Sequence, residues 1–506
     1  MSKNRGGIRF IRWLILAVVL AQLIACGGSG QDTPASTVPA ITSAATTSFT
    51  VGMAATFAIT ASGAPSPAFS LTGVLPQGVT FDAQTGIMSG TPGTGSGGDY
   101  PLTIRASNGI SPNAIQNFTL TVNAAGIASR VSLPKTGQTD CWDAAGTAIN
   151  CGDTGQDGDL QMGIAWPSPR FIDNGDQTIT DNLTGLIWAR DANLMQTRDP
   201  SFDTDNVDSS LGDGKVTWQH SLDYIKKLNM ENYQGHNDWR LSNVVELSSL
   251  LNTHLINFQL HFPVTWLNGQ GFFNAQEDYY WSSTSTAVTP FGAWGVDIYY
   301  GGLIGGYNKT SSMYVWPVRG GQSGSTGTLA LPRTGQTGCW DTSGTAILCA
   351  GTGQDGELQM GVAWPSPRFI DNGDQTVTDN LTGLVWTKDA HDFGPAACVP
   401  AETRSWQEAL NYVMCLNTTG YLGKSDWRLP NPLELRSLVN YQAPRDYLWL
   451  NGEGFSNVQD NFYWSSSTVV KDFWTDGGWL VDMVYGVESG IGKPNGYFVW
   501  PVRTGD

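Results

Sequence analysis

The stretch AWPSPRFIDNGDQT at residues 165–178 recurs without a change at residues 363–376. It lies within a longer block, residues 134–192, which matches residues 332–390 with 13 differences over 59 aligned positions. A spacing of roughly 200 residues is far longer than the repeat unit of a solenoid and is the size of a whole domain. The sequence therefore predicts two copies of one domain.

The likeness between the copies continues beyond this block, with small gaps. The shared motifs are DWRL at 238–241 and 426–429, WLNG at 266–269 and 449–452, YWSS at 280–283 and 463–466, and WPVR at 316–319 and 500–503. We place the first copy at residues 129–320 and the second at residues 328–506, joined by a linker rich in Gly, Ser and Thr.

Each copy is expected to contain two short helices among strands. Residues 217–229 carry Trp218, Leu222, Ile225 and Leu228 at helical spacing, and residues 405–417 form the matching helix. A second helix is expected to begin at Asn243 or Asn431, because Asn is a good N-cap and a Glu three residues later completes a capping box. Strands are expected at 279–283, 293–299 and 313–319 and at their counterparts in the second copy.

The composition is acidic and limits the possible partners. The chain of 506 residues has a net charge of -17. Removal of the first 25 residues, which hold Lys3, Arg5, Arg9 and Arg12 but no acid, would bring the charge to about -21. Such a surface repels nucleic acid and anionic lipid, so neither is expected as a partner.

The N-terminus has the pattern of an exported protein. A basic region is followed by an apolar run at residues 14–23, which is too short to span a bilayer comfortably. Residues 23–26, Leu-Ile-Ala-Cys, resemble a bacterial lipobox, which implies a signal peptide at 1–25, acylation of Cys26 and a flexible tether at 26–38. The alternatives are an ordinary cleaved signal and an uncleaved anchor. The glycines at 27 and 28, in place of Asp, favour the outer membrane by the same resemblance.

The first folded unit is expected at residues 39–123. Short strand candidates at 57–60, 69–71, 88–90, 100–104 and 118–122 have the spacing of a sandwich. The stretches LPQGVTFD at 75–82 and SGTP at 89–92 resemble the "putative Ig" repeats of bacterial surface proteins. The resemblance implies a cadherin-like β-sandwich, which we interpret as a spacer.

The repeated copies also resemble a known family. RFIDNGDQTITDNLTGLIW at 170–188, DWRLSNVVEL at 238–247, YYWSST at 279–284 and YVWPVR at 314–319 are similar to the Lcl C-terminal domain, found at the end of a bacterial collagen-like adhesin. That family implies adhesion and binding of glycosaminoglycans or other glycans. The order of motifs in the second copy also resembles the formylglycine-generating enzyme family, which implies an α+β, C-type-lectin-like fold whose first and last strands pair. The expected chain is thus multidomain, an all-β Ig-like sandwich followed by two α+β C-type-lectin-like domains.

The cysteines predict three disulfides. Six remain when Cys26 is set aside, and the equivalence of the repeats selects one pairing. The expected bonds are Cys141–Cys151, Cys339–Cys349 and Cys398–Cys415, of which the third occurs in the second copy alone. Its partner position in the first copy is Lys227, so the long loop at 193–215 must be held there by other means.

The acid-rich loop at 173–182, repeated at 371–380, is the best candidate for a metal site. Carboxylates around a Gly turn suit Ca²⁺, although the loop is not an EF-hand. The candidate ligands are Asp173, Asp176 and Asp181 in the first copy and Asp371, Asp374 and Asp379 in the second. Asp and Asn also form such turns without an ion, and this interpretation is the favoured one.

Tryptophan is abundant, and nine positions recur between the copies. Most of these side chains are expected in the core. Trp266 and Trp449 are the exceptions, because they fall in the apparent loops WLNGQGF and WLNGEGF, and they are the candidate platforms for stacking a sugar ring. Arg240 and Arg428 are expected to pair with Glu246 and Glu434 in structural ion pairs.

The shared motifs contain no His, so a Ser-His or Cys-His mechanism common to both copies is excluded. Neither a P-loop nor a dinucleotide-binding glycine motif is present. The expected function is therefore non-enzymatic. It is binding of a glycan or matrix ligand at the outer membrane, facing the periplasm or the cell surface, with membrane contact through the lipid alone. The alternative is a structural envelope protein that binds surface proteins and no sugar. Basic residues do not cluster, so neutral glycans are favoured over sulfated ones.

Overall fold

The structure is a computed structural model that describes residues 36–51, 55–93, 96–123, 130–204, 210–251, 263–298, 303–320, 327–471 and 474–505. It divides into two compact units, residues 1–124 and 125–506. Both units are mostly β-sheet, and the helices belong to the second. The repeated copies thus lie within one compact unit.

The first unit is an Ig-like arrangement of short strands. Its strands are β1 (Thr37–Ile41), β2 (Thr46–Thr50), β3 (Ala55–Ala58), β4 (Ala61–Ala64), β5 (Ala68–Thr72), β6 (Val79–Asp82), β7 (Ile87–Gly90), β8 (Gly98–Ser107) and β9 (Ala114–Asn123). They form sheets of order β2-β9-β8-β5 and β3-β7-β6, with β1 paired to β4. Phe49, Met88, Ile104, Phe118 and Leu120 are buried in its core, as alternation along half-buried strands requires. The strands expected at 69–71, 88–90, 100–104 and 118–122 are confirmed, whereas the one expected at 57–60 ends at Ala58.

The first copy contains ten strands and five α-helices in its described residues. They are β10 (Cys141–Trp142), β11 (Ala148–Ile149), α1 (Asp157–Leu160), β12 (Phe171–Asp173), β13 (Thr178–Asp181), β14 (Leu186–Ala189), α2 (Leu194–Arg198), α3 (Trp218–Met230), β15 (Arg240–Leu241), α4 (Val244–Ser249), α5 (Pro263–Gly269), β16 (Tyr279–Ser285), β17 (Gly292–Asp297), β18 (Leu303–Asn308) and β19 (Pro317–Gly320). Short 3-10 helices occur at Pro200–Phe202 and Tyr233–Gly235.

The described residues of the second copy follow this order without counterparts of α2 and β15. Its elements are β20 (Cys339–Trp340), β21 (Ala346–Ile347), α6 (Asp355–Leu358), β22 (Phe369–Asp371), β23 (Thr376–Asp379), β24 (Leu384–Thr387), α7 (Trp406–Thr419), α8 (Pro432–Ser437), α9 (Asp446–Gly452), β25 (Phe462–Lys471), β26 (Trp474–Asp482), β27 (Glu488–Gly492) and β28 (Val502–Thr504). The 3-10 helices here are Ala396–Cys398 and Tyr421–Gly423.

In its described residues each copy has two larger antiparallel sheets and one two-stranded ladder, β10-β11 or β20-β21. In the first copy the larger sheet has the order β12-β13-β14-β19-β15 and the smaller one β16-β17-β18. The last strand pairs with an early one, since Leu186 lies opposite Gly320. The second copy repeats this pairing between Leu384 and Thr504. The two ends of this part of each copy therefore lie side by side.

The expected helices form where the sequence places them. Trp218, Leu222 and Leu228 on α3 are buried, so the apolar face packs on the core. Helix α4 begins with the expected capping box. The Asn243 side chain accepts a hydrogen bond from the backbone N–H of Glu246, and the Glu246 carboxylate accepts one from the backbone N–H of Asn243. The WLNG motifs, expected in loops, belong instead to α5 and α9. The strand expected at 313–319 is a true strand only from Pro317.

The start of each copy crosses to the other copy. We call residues 130–166 and 328–364 the leading segments. The Gln138 side chain exchanges two hydrogen bonds of 3.0 Å with the backbone of Thr468, and Gln336 makes the equivalent pair, at 2.8 and 2.9 Å, with Ser285. The crossing is therefore reciprocal. One hydrophobic cluster contains buried side chains of both copies, and a second cluster surrounds α7 of the second copy.

The hairpins at β10-β11 and β20-β21 in the leading segments each require a glycine at the tip, where the hairpin touches the other copy. Gly146, between β10 and β11, has a φ of +81°, and an added Cβ would lie 2.6 Å from the Thr475 hydroxyl of the second copy. Gly344 has a φ of +85° and would bring its Cβ within 2.8 Å of the Phe291 nitrogen of the first. Both positions need glycine for the turn and for the close approach.

Candidate ligand-binding site

The three expected disulfides are confirmed. The Cα atoms of Cys141 and Cys151 lie 5.2 Å apart, as do those of Cys339 and Cys349, and those of Cys398 and Cys415 lie 5.6 Å apart. All three distances are ordinary for disulfides. The third bond ties the 3-10 helix at Ala396–Cys398 to α7.

The predicted lipid anchor, Cys26, lies outside the described residues, as do the signal peptide and most of the tether. In the parts of the chain that the structure describes, we find no helix with the length and apolar character that a membrane crossing needs.

The acidic loop of the first copy is held by hydrogen bonds within the protein. Asp181 is fully buried and accepts two bonds from Arg170, at 2.9 and 3.0 Å. Asp173 accepts from the backbone of Gly175 and lies 3.3 Å from Arg190. Asp176 accepts from the backbone and hydroxyl of Thr178. These are the contacts of an Asx turn.

The second loop repeats this arrangement. Asp379 forms an ion pair with the buried Arg368, and Asp371 forms one with Lys388 at 2.6 Å. Asp374 accepts a hydrogen bond from the backbone N–H of Thr376. The hydrogen bond from Lys388 lowers the pKa of Asp371. Among the described residues no cluster of three or more His, Cys, Asp or Glu side chains has the geometry to hold a metal. The contacts favour the hydrogen-bonded turn, and the calcium site stays a prediction.

Trp266 and Trp449 lie in short helices and are half-buried rather than displayed on loops. Trp266 packs against Trp166 at 5.8 Å between ring centres and against Phe171 at 5.8 Å. Trp449 makes the equivalent contacts with Trp364 and Phe369, at 5.5 and 5.7 Å. The sequence missed the helices because Asn and Gly at their C-termini read as loop residues. Each indole keeps a partly exposed surface, so its role as a platform stays a prediction.

The two arginines of the DWRL motifs are structural, as expected. The Arg240 guanidinium donates two bonds of 2.6 and 2.7 Å to Glu246, and both side chains are buried. Arg428 holds Glu434 with two bonds of 2.6 Å. Since each Glu also completes a capping box, these carboxylates have no free edge for a ligand.

Where each leading segment packs on the other copy, the contact buries a carboxylate. Asp355 accepts hydrogen bonds of 2.7 Å from Thr334 of its own copy and from Thr284 of the first copy. Asp157 accepts likewise from Thr136 and from Ser467 of the second copy. Burial raises the pKa of each to about 6, although the hydroxyl hydrogen bonds oppose that shift.

The same contact buries a lysine at each end. Lys309 of the first copy donates to the carbonyl oxygens of Trp340 and Asp341 in the other copy, at 3.0 and 3.2 Å, and its ammonium lies 4.1 Å from the ring centre of Trp218. Lys493 of the second copy makes the equivalent contacts with residues 142 and 143 and with Trp406. Burial lowers the pKa of both lysines to about 7.

A cleft of about 510 Å³ opens between the copies, and we call it the inter-copy cleft. Its first wall is formed by residues 286–289 and Trp294 of the first copy. Its second wall is formed by residues 439–441 and 443–446 and by Tyr485 of the second. The volume and the mixture of aromatic and polar groups are typical of small-ligand sites.

None of the cleft residues was singled out from the sequence. Trp294 is one of the recurring tryptophans that are expected in the core, and both Trp294 and Tyr441 are buried. Arg445, Asp446 and Tyr485 lie in segments without periodicity and outside the motifs that the copies share. The signal that could have found them is the unmatched charge pair Arg445–Asp446 between two shared motifs, DWRL and WLNG.

Comparisons with known proteins identify both kinds of domain. The family model described as "Lcl C-terminal domain" matches residues 177–319 and 375–503, together more than half of the chain. Both matches begin after the leading segments. The model described as "Putative Ig domain" matches residues 37–123. The likeness to the formylglycine-generating enzyme family is not among these findings, and no curated protein matches the chain.

Solved structures resemble short parts of the chain. A "putative alpha-galactosidase" from Bacteroides fragilis NCTC 9343 is 28% identical over 17% of this chain and 17% of that chain, with a TM-score of 0.16. Titin domain M7 is 21% identical over 18% of this chain and 99% of that chain, with a TM-score of 0.15. The chain thus spans less than a fifth of the galactosidase, and likenesses at these TM-scores carry no argument about function.

Proposed function

We propose that this chain, which belongs to the Lcl C-terminal domain family, is a surface-anchored lipoprotein that binds a glycan or another matrix ligand without catalysing a reaction on it. The observation that carries the proposal is the inter-copy cleft, because it combines aromatic and hydrogen-bonding groups between two domains of one family. The shared contact fixes the two domains in one unit, which suits recognition by both.

We infer further that each family domain has an α+β, C-type-lectin-like fold. The proposal is supported by the pairing of β14 with β19 and of β24 with β28, which brings the ends of each domain together. Neutral glycans are favoured over sulfated ones, because polyanions need a cluster of basic residues. Lys227 and Arg436 are engaged in ion pairs with Glu231 and Glu488.

A glycan array probed with the purified chain lacking its first 26 residues tests the binding function. We expect neutral glycans to retain the protein and sulfated ones to give no stronger signal. An array without any signal contradicts glycan binding. Release of sugar from the array by the protein would contradict the non-enzymatic part of the proposal.

The proposed anchor is an acylated Cys26 in the outer membrane, with the folded domains facing the periplasm or the cell surface. The Cys26→Ser variant should lose label from a radioactive fatty acid and should leave the membrane fraction or stay unprocessed. Unchanged membrane partition of the variant contradicts the anchor. The matched control is Cys398→Ser, which leaves the lipobox intact.

A structural role in the envelope, through binding of other surface proteins, is the second candidate. It is favoured by the reciprocal contact, in which surfaces of one family domain recognise a segment of another through buried polar pairs. Specific retention of envelope proteins on the purified chain, together with a silent array, would select this candidate.

A further inference from the structure

The inner end of the inter-copy cleft is an aromatic joint made by both copies. The rings of Trp294 and Tyr441 meet edge to face, with centres 5.3 Å apart and planes at 89°. Both side chains are buried, so the two walls of the cleft are held in a fixed relation. A ligand that enters the cleft therefore meets a preformed site and does not have to order it.

The second wall contains an enclosed carboxyl group with an unused oxygen. Asp446 is only 2% exposed, and its Oδ1 accepts a hydrogen bond of 2.8 Å from the backbone of Asn440. Among the described residues no group donates to its Oδ2. Burial raises the pKa of this carboxyl well above its ordinary range. A carboxyl oxygen that lines a cleft and accepts no hydrogen bond from the protein is suited to one from a ligand.

The open side of the cleft presents a cation on an exposed ring. The Arg445 guanidinium lies 4.8 Å from the ring centre of Tyr485, which is 42% exposed. Within the described residues Arg445 forms no ion pair, and its one hydrogen bond, to the carbonyl of Pro444, is long at 3.4 Å. A guanidinium that lies on an aromatic ring keeps N–H groups free to donate to a ligand.

These groups suit a neutral saccharide. Sugar hydroxyls both donate and accept, so one ring can donate to Asp446 and accept from Arg445, while its apolar face packs on an aromatic side chain. Burial favours the neutral forms of Asp446 and of the nearby Asp482, whereas Arg445 attracts the ionised form of Asp482. A cationic ligand would be repelled by Arg445, and an anionic one would have to compete with Asp482 for it. A ligand without charge avoids both conflicts.

We propose that the inter-copy cleft is the carbohydrate site of this chain and that it binds a neutral saccharide unit. Tyr485 would supply the apolar contact, and Arg445 and Asp446 the hydrogen bonds that orient the ring. This inference rests on the proposed glycan-binding function and assigns its site away from Trp266 and Trp449.

The test measures binding of the methyl glycosides of glucose, galactose, mannose and N-acetylglucosamine by calorimetry and saturation-transfer NMR. We expect at least one of them to bind, and its uronic acid and amino counterparts to bind about tenfold more weakly or worse. Tyr485→Ala and Arg445→Ala should each weaken binding about tenfold, and Asp446→Asn should weaken it while keeping the shape of the wall.

The matched controls are Phe273→Ala and Arg190→Ala. Phe273 is 41% exposed and has Arg190 at 5.9 Å from its ring centre, but this pair lies outside the cleft. The controls should bind as the wild type does, and melting temperatures report that every variant is folded.

Three results overturn the proposal. The first is equal binding by the wild type and by folded cleft variants, and the second is stronger binding of the charged sugars than of the neutral ones. The third is that none of the neutral sugars in the panel binds. If the glycan array is positive but its signal disappears only in Trp266→Ala or Trp449→Ala variants, the glycan-binding function stands and the cleft is the wrong site. If the array itself is silent, the function fails together with the site.

Discussion

The two copies hold the loop before their first long helix by different chemistry. In the second copy a disulfide joins Cys398 in that loop to Cys415 on α7. In the first copy Lys227 occupies the position of Cys415, and its ammonium lies 2.8 Å from Asp199 of the loop. Arg198 pairs with Asp199 as well and with Glu231 at 2.7 Å. Four alternating charges thus stand where the other copy has a covalent bond.

This difference shows which contacts are the same in both copies and which contact differs between them. The buried contacts that cross between the copies are repeated at equivalent positions, namely Gln138 and Gln336, Asp157 and Asp355, and Lys309 and Lys493. The loop anchor differs between the copies: it is a partly exposed charge cluster in the first copy and a disulfide that includes the buried Cys398 in the second. A buried polar group cannot lose its partner without a large cost, whereas a partly exposed charge pair contributes little and can be exchanged for another tether.

The largest expected effect tests the repeated contact. The pKa of Lys309 and of Lys493 is about 7 in the folded chain and near 10.5 when the chain is unfolded. Between these values the unfolded state binds more protons, so stability should rise with pH, by on the order of 1 kcal/mol per pH unit for each lysine. Urea unfolding between pH 7 and 9.5 measures this slope.

The matched variants are Lys309→Met and Lys493→Met. Each should remove about half of the slope, and the double variant should remove it, because the two sites are equivalent. Unequal single variants would show that the crossing contact is not symmetric in energy. A slope that persists in the double variant would assign it to other groups.

The next effect concerns the covalent anchor. Replacement of Cys398 and Cys415 by Ser should lower the free energy of unfolding by about 3 kcal/mol, because the bond closes a loop of this length. Urea unfolding of the oxidised protein measures the loss. A loss below about 1 kcal/mol would mean that the loop is held by its other contacts, among them the hydrogen bond from Tyr412 to Asp392.

The ionic anchor should contribute less and should depend on salt. Lys227→Met should cost about 1 kcal/mol in low salt, because the four side chains are partly exposed, and the cost should shrink in 1 M NaCl. Partial burial alone would raise the pKa of Asp199, but hydrogen bonds and charge from Lys227 and Arg198 lower it. The contribution is therefore present at neutral pH and is lost as the pH falls through this lowered pKa. A cost that salt and acid leave unchanged would contradict an electrostatic anchor.

Local features of the fold could be predicted from the sequence, whereas the packing of each leading segment on the other copy could not. The capping boxes at Asn243 and Asn431 and the three disulfides depend on residues close together in the chain or on the equivalence of the repeats. Gln138 and Gln336 occupy matching positions in two similar copies. Their pattern is therefore the same whether a leading segment packs on its own copy or on the other.

The cleft escaped prediction for a related reason. Trp294 and Arg445 come from different copies and are brought together only by the way the copies pack. The motif around Trp266 and Trp449 has the composition of a loop, whereas a short helix places both side chains half-buried against Phe171 and Phe369. Periodicity over a few residues does not report contacts between distant segments.

The smallest expected effect concerns calcium, for which the two copies should behave alike. Asp181 and Asp379 are paired with buried arginines, and Asp176 and Asp374 accept hydrogen bonds from threonines. A bound ion would have to displace these donors, so the contacts predict the same melting curve in Ca²⁺ and in EDTA.

The competing prediction is a calcium site in each acidic loop. An ion bound only by the folded state would stabilise it by about 2.7 kcal/mol at a hundredfold excess over its dissociation constant. Asp176→Asn or Asp374→Asn would then remove the gain contributed by its own copy. Each Asn can still accept the hydrogen bond from the threonine two residues later. A melting temperature that falls in Ca²⁺ but stays the same in EDTA would therefore identify a missing calcium ligand and not a broken turn. A melting temperature that rises with Ca²⁺ in the wild type and less in each variant would overturn the turn interpretation for both copies.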